Sequence, residues 1–246
     1  MKFSLDGGGC FPTGRHYPGI AHLIKIATAG LAEEWLGETA LSDLSLVAID
    51  TETTGRDPAV DRIVEIGCIV WQGGTVQRRQ GWLVNPERPI PEDATQVHGI
   101  KDDDVKNAPV FREIVDDLMA VLERHVPVAY NAEFDRDFLH AELGRSGASG
   151  RRLPPAARHG VVWMDPLIWA REIQKEEKSK ALGEVCARLG IELERAHRAE
   201  DDAEAAVRVL AKFCEDVRVP KTYAAFVQEQ KRLGRLFEEE RIRWRN

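Results

Sequence analysis

The stretch from Leu44 to Asp50 constrains the fold more than any other. It is a short apolar run, suited to a buried strand, and it ends in a carboxylate. Glu52 stands two residues further on. In extended chain, residues at i and i+2 point to the same side. Asp50 and Glu52 are therefore expected to face one point at the edge of a sheet. Left alone, two such carboxylates repel each other and resist desolvation. A divalent cation would resolve that conflict. For Asp-x-Glu by itself, a solvated strand end is the commoner outcome. Thr53-Thr54-Gly55 then starts a turn.

The centre of the chain reads as mixed α/β. Ile63–Trp71 is a second strand, and Gly73-Gly74 marks a hairpin turn into a third near Thr75–Val84. Pro109 opens a helix through about Arg124, with proline in the first turn. Val126–Tyr130 reads as a strand, and Glu133–Leu143 as a helix stopped by Gly144. Arg145, Arg151, Arg152 and Arg158 sit among Gly, Ser and Pro, which predicts an exposed basic loop. Val161–Met164 is a further strand, and Asp165-Pro166 caps the helix after it. Later helices are expected at Ser179–Leu189, before Gly190, at Ala199–Val217 and at Thr222–Trp244. Upstream lie a Gly-rich tail over residues 1–17 and a helix over about Pro18–Leu36. In that helix Ile20, Leu23, Ile24, Ala27, Leu31 and Trp35 form one stripe. The predicted organisation is tail and amphipathic helix over 1–43, main domain over 44–217 and helical extension over 218–246.

Composition narrows the class. The 246 residues are 43% hydrophobic and 30% charged, enough for a sizeable core in a soluble protein. A net charge of −7 argues against a passive nucleic-acid coat but not against a site that holds cations. Cys10, Cys68, Cys186 and Cys214 are scattered, without a Cys-x-x-Cys pair, which points to a reducing cytoplasm rather than to disulfides or zinc. Ile20–Leu31 is too short to span a bilayer and carries His22 and Lys25.

Two further clusters stand out. In Asn131-Ala132-Glu133-Phe134-Asp135, Asp135 falls near a helix start, where a carboxylate is electrostatically comfortable. Phe134, Phe138 and Leu139 can anchor that helix. In His197-Arg198-Ala199-Glu200-Asp201-Asp202-Ala203, a His on the preceding loop can fold over an Asp on the helix. Each cluster alone has an ordinary structural explanation.

Together with Asp50-Thr51-Glu52-Thr53-Thr54-Gly55, these segments resemble, in order and spacing, the three motifs of the DnaQ-like DEDDh 3′→5′ exonucleases. Ile90–Ile100, with Val97-His98-Gly99, resembles that family's segment beside the substrate end. The resemblance covers about residues 44–215. It implies an RNase H-like mixed sheet flanked by helices and a metal-dependent phosphodiester hydrolase. It also implies that Asp50, Glu52, Asp135 and Asp202 hold two Mg²⁺ or Mn²⁺ ions and that His197 is the general base. Thr51, Thr53, Thr54, Gly55, Val97, His98, Asn131 and Phe134 would surround the last nucleotide. Tyr130 departs from the His that relatives often place before Asn-Ala.

The expected substrate is nucleic acid with a free 3′ end, single-stranded DNA being favoured. The alternatives are an RNA-trimming enzyme of the same family and a silent nucleic-acid or partner-binding scaffold. A polymerase or other replication or repair partner would bind through an extension, and the N-terminal stripe would serve a partner or a homodimer. Gln230–Phe237 resembles in part a sliding-clamp-binding peptide but lacks its paired aromatics. Packing of Tyr223, Phe226, Val227, Leu233 and Phe237 on the domain is the expectation there.

Overall fold

A computed structural model describes residues 28–148, 153–193 and 198–245. Its strands are β1 (Leu46–Thr53), β2 (Ile63–Gln72), β3 (Thr75–Leu83) and β4 (Val126–Val128). They form one sheet in the order β3-β2-β1-β4. β1 pairs with β2 and β2 with β3 antiparallel, while β1 and β4 run parallel. Gly73 and Gly74 both have positive φ, at 58° and 81°, as a two-residue hairpin turn requires. β2 is buried along nearly its whole length, whereas β3 is a polar outer strand.

Eight helices surround the sheet among the described residues. They are α1 (Glu92–His98), α2 (Asp102–Val105), α3 (Phe111–Leu122), α4 (Ala132–Ser146), α5 (Pro166–Ile173), α6 (Leu182–Leu189), α7 (Ala199–Phe213) and α8 (Tyr223–Arg245). The period-2 alternation of β1 feeds two cores. Ala48, Ile69 and Val128 face Ala203, Val207 and Leu210 of α7, backed by Trp169 and Phe226. Val47, Ile49, Ile66 and Cys68 face Phe111 and Leu118 of α3 and Phe138 and Leu139 of α4. A sheet covered on both faces explains why β1 and β2 read as apolar runs rather than as alternating ones. No described helix is long and apolar enough to cross a membrane.

Several expectations need correction. The predicted helix over 18–36 does not extend through its described part, because residues 29–39 form turns. Gly30 adopts φ 97° there, and its carbonyl accepts from the Val162 N–H. The rest of that helix, like the tail and Cys10, lies outside the described residues. Pro109 precedes the α3 cap, Val110, rather than sitting in its first turn; its carbonyl accepts from Asn85. Helix α4 runs through Gly144 to Ser146, and Gly147 supplies the left-handed C-cap. Val161–Met164 makes only a single parallel bridge, Met164 to Val128.

The exposed basic loop is also overturned. Arg145 belongs to α4 and pairs with Glu142, and Arg158 pairs with Glu33 and Glu34. Pro155, Ala156 and Ala157 between them are buried. Arg151 and Arg152 lie outside the described residues. On α8 the apolar face packs as expected: Tyr223, Phe226, Val227 and Leu233 are buried, and Phe237 is partly so.

Candidate active site

β4 pairs with Leu46–Ala48 only, so beyond Ala48 one flank of β1 is open. The two carboxylates fall in that stretch. β1 continues as strand to Thr53, which keeps Asp50 and Glu52 on one face by the i, i+2 rule. α7 crosses that face and delivers Asp202 from its first turns. Oxygen atoms of Asp50, Glu52 and Asp202 all lie within 4.8 Å of one another. Thr51 points to the opposite face, where its hydroxyl donates to Asp135 Oδ1 at 2.8 Å. Asp135, from the start of α4, lies on that opposite side of the strand, close enough for its charge to act on Asp50.

The electrostatics follow from this crowding. Burial, then the charges of Asp135, Asp202, Glu52 and Glu65, push Asp50 well above the ordinary carboxylate range. Burial, then Asp202, Glu65 and Asp135, push Glu52 up to about 8, with Arg198 opposing. Burial raises Asp135 too, against hydrogen bonds from Thr51. Such a set cannot ionise together without a cation. The converging donors are all carboxylate oxygens, the ligands that suit hard divalent ions such as magnesium or manganese rather than zinc. The residues present therefore fit a divalent metal.

Two buried carboxylates that sequence reasoning did not single out hold this arrangement. Glu65 of β2, 6% exposed, accepts from Arg198 Nη2 at 2.6 Å and from the Ala199 N–H at 3.2 Å, so it caps α7. The available signal was a lone charge inside the apolar run Ile63-Val64-Glu65-Ile66. Asp165, expected only to cap its own helix, accepts from Leu167 N at 2.8 Å, Asn131 N at 3.0 Å and Ala132 N at 3.1 Å. One side chain thus caps both α5 and α4. Asn131 cannot cap α4 itself, because its backbone is left-handed at φ 66°.

The expected substrate residues are placed unevenly. Thr53 Oγ1 donates to the Gly55 carbonyl at 2.5 Å. Thr54 Oγ1 accepts from Arg62 N at 3.0 Å, so both hydroxyls serve the turn. A Cβ on Gly55 would meet Asp61 Oδ2 at 2.3 Å, so the glycine makes room for that carboxylate. Val97 is exposed. His98 is buried, with Nδ1 accepting from Ile100 N at 3.0 Å. Asn131 and Phe134 line an open hollow of about 260 Å³ with Arg56 and Pro58, and the Phe134 ring lies 4.8 Å from that of Phe138. His197 lies outside the described residues.

Residues 47–210 match the exonuclease family RNase_T. The chain is 36% identical over 160 residues to the DNA polymerase III subunit epsilon of Treponema pallidum, covering 65% of this chain and 72% of that one. It is 32% identical over 178 residues to the PolC-type DNA polymerase III of Thermotoga maritima, where the match spans 72% of this chain but only 12% of the relative. Exonuclease X, solved with 5′ overhanging duplex DNA, superposes with TM-score 0.57 at 22% identity, covering 74% of this chain and 98% of the other. E. coli exonuclease I, solved with a dT13 oligonucleotide, gives 0.58 at 18% identity, covering 70% and 41%. These two likenesses establish the fold, a mixed sheet flanked by helices. The chain belongs to the exonuclease family of DnaQ-like 3′→5′ exonucleases.

Proposed function

We propose that this chain hydrolyses DNA from its 3′ end, releasing nucleotides singly, with two Mg²⁺ or Mn²⁺ ions held by Asp50, Glu52, Asp135 and Asp202. The observation that carries the reading is the convergence of Asp50, Glu52 and Asp202 within 4.8 Å at the open flank of β1. When bound, divalent ions lower the pKa of water and offset charge on a phosphate and its departing oxygen.

The protein's own groups do the rest. His197, directly before the Arg198–Glu65 clamp, takes the proton of the attacking water; an imidazole is basic near neutrality. Phe134 and Asn131 form the wall of a hollow beside Asp135 that receives the last nucleotide. The Thr53–Gly55 turn, braced by its own hydroxyls, leads into Arg56 and Pro58, which line the same hollow. Single-stranded DNA is the favoured substrate. A DNA polymerase assembly is the favoured partner, by analogy with the epsilon and PolC-type relatives.

The test is digestion of matched single-stranded DNA, duplex DNA and RNA, each labelled at the 5′ end, with Mg²⁺, with Mn²⁺ and after EDTA. A ladder shortening from the 3′ end of DNA, lost in EDTA, is expected. His197→Ala should cut about 10²–10⁴-fold more slowly at saturating metal. Cleavage by His197→Ala at the wild-type rate across neutral pH would make His197 a structural residue.

A further inference from the structure

We infer that Gln230, on the C-terminal helix α8 outside the matched exonuclease segment 47–210, is a positioning residue for the α4 carboxylate Asp135. The inference rests on the reading of Asp135 as part of the active site. It begins at the edge of the sheet. Beyond β4, Met164 bonds toward the sheet: its N–H donates to Pro127 O at 2.8 Å, and its carbonyl accepts from Ala129 N at 3.2 Å. The neighbouring groups, Trp163 O and Asp165 N, point the other way, where a next strand would satisfy them. No described strand lies there. Gln230 takes that place. Its Oε1 accepts from Asp165 N and its Nε2 donates to Trp163 O, each at 2.8 Å. The side chain is 3% exposed, so both bonds are made away from water.

The consequence runs through Asp165. Gln230 fixes the main chain at Asp165, and the Asp165 carboxylate holds Asn131 N and Ala132 N, the entry to α4. Asn131 occupies the left-handed region, which Asn adopts more readily than most residues, and the Asp165 carboxylate holds that turn by its N–H. Asp135 follows one turn later and meets Thr51. Loss of the Gln230 amide releases the Asp165 backbone, loosens the α4 entry and lets Asp135 drift from Asp50. Errors of about 1 Å in such placement cost about 10²-fold in rate.

Gln230→Met keeps length and bulk and removes both hydrogen-bonding atoms. In metal-free full-length protein we expect the Asn131 and Ala132 amides to exchange about tenfold faster, with β1 and β2 amides unchanged. With saturating Mn²⁺ and a DNA oligonucleotide we expect kcat to fall about 10- to 100-fold while KM stays near the wild-type value. Leu233→Ala, also buried on α8, removes packing and spares the amide; it should leave the Asn131 and Ala132 amides protected. Unchanged exchange in Gln230→Met, wild-type kcat in that variant, or equal exposure of these amides in Leu233→Ala would each overturn the inference. Wild-type protein that degrades no nucleic acid would instead overturn the proposed function, and the exchange comparison would still decide whether Gln230 fixes α4.

Discussion

Glu52 shows what the metal-free site costs the fold. Its carboxyl titrates near 4.5 in an unfolded chain and near 8 in the native protein. The native state therefore binds more protons between those values, and stability must fall as pH rises through them. Burial raises Asp50 and Asp135 in the same direction. In EDTA, the thermal midpoint should decline as the pH rises from about 5 to about 8. A midpoint that rises over this window would show that the carboxylates are not crowded as described. At this scale the sequence was partly legible. Asp50 and Glu52 could be paired from strand periodicity alone, because the rule needs no partner element. The hydroxyl of Thr54 could not be assigned, because its partner, the Arg62 N–H, lies across a loop. Glu65 was missed for the same reason: Arg198 is 133 residues away.

Elements were legible where a local signal decides them and illegible where tertiary contacts do. Gly73-Gly74 and Gly190 ended their elements as read, since a positive φ is a local demand. Gly144 did not end α4: the left-handed cap falls at Gly147, whose N–H donates to the Gly144 and Leu143 carbonyls. Val161–Met164 was predicted from apolar content, but its outer flank is met by a side chain rather than by a strand. The close seating of α7 on β2 was equally invisible. A Cβ on Gly67 would lie 2.3 Å from the Ala199 carbonyl carbon, whereas the nearest atoms to one on Gly81 belong to the outer end of the Glu200 side chain. Backbone cannot swing aside, and a flexible side chain can. Gly67→Ala should therefore cost about 1–3 kcal/mol in urea unfolding and also depress single-turnover cleavage, since α7 carries Asp202. Gly81→Ala should stay within about 0.5 kcal/mol of wild type in both readouts expressed as free energy. Equal effects at the two glycines would mean that α7 is not seated on β2 through Gly67.

At the scale of the whole molecule, a chain of net charge −7 concentrates like charge at the open flank of its central strand, and this ties metal binding to global stability. Anything that binds the native state alone stabilises it, by about 2.7 kcal/mol when the ligand is at a hundred times its Kd. The carboxylates of Asp50, Glu52 and Asp202 belong to β1 and α7, and Asp135 belongs to α4. On the proposed ligand set, cation binding joins elements from both cores and should raise the unfolding midpoint of the whole protein. Asp50→Asn separates the two effects of the cluster. It replaces a buried carboxyl whose ionisation four carboxylates oppose, so the metal-free variant should unfold at the wild-type midpoint or above it. It also removes a ligand, so added Mn²⁺ should raise its midpoint by much less than that of wild type. Asp202→Asn should likewise lose most of the Mn²⁺ response. A neutral substitution on the exposed face, Glu133→Gln, should keep the full response, because that side chain points to solvent. Thermal unfolding of the four proteins in EDTA and across a Mn²⁺ titration checks this directly. An Asp50→Asn variant that is both less stable without metal and fully stabilised by it would move the cation site away from β1.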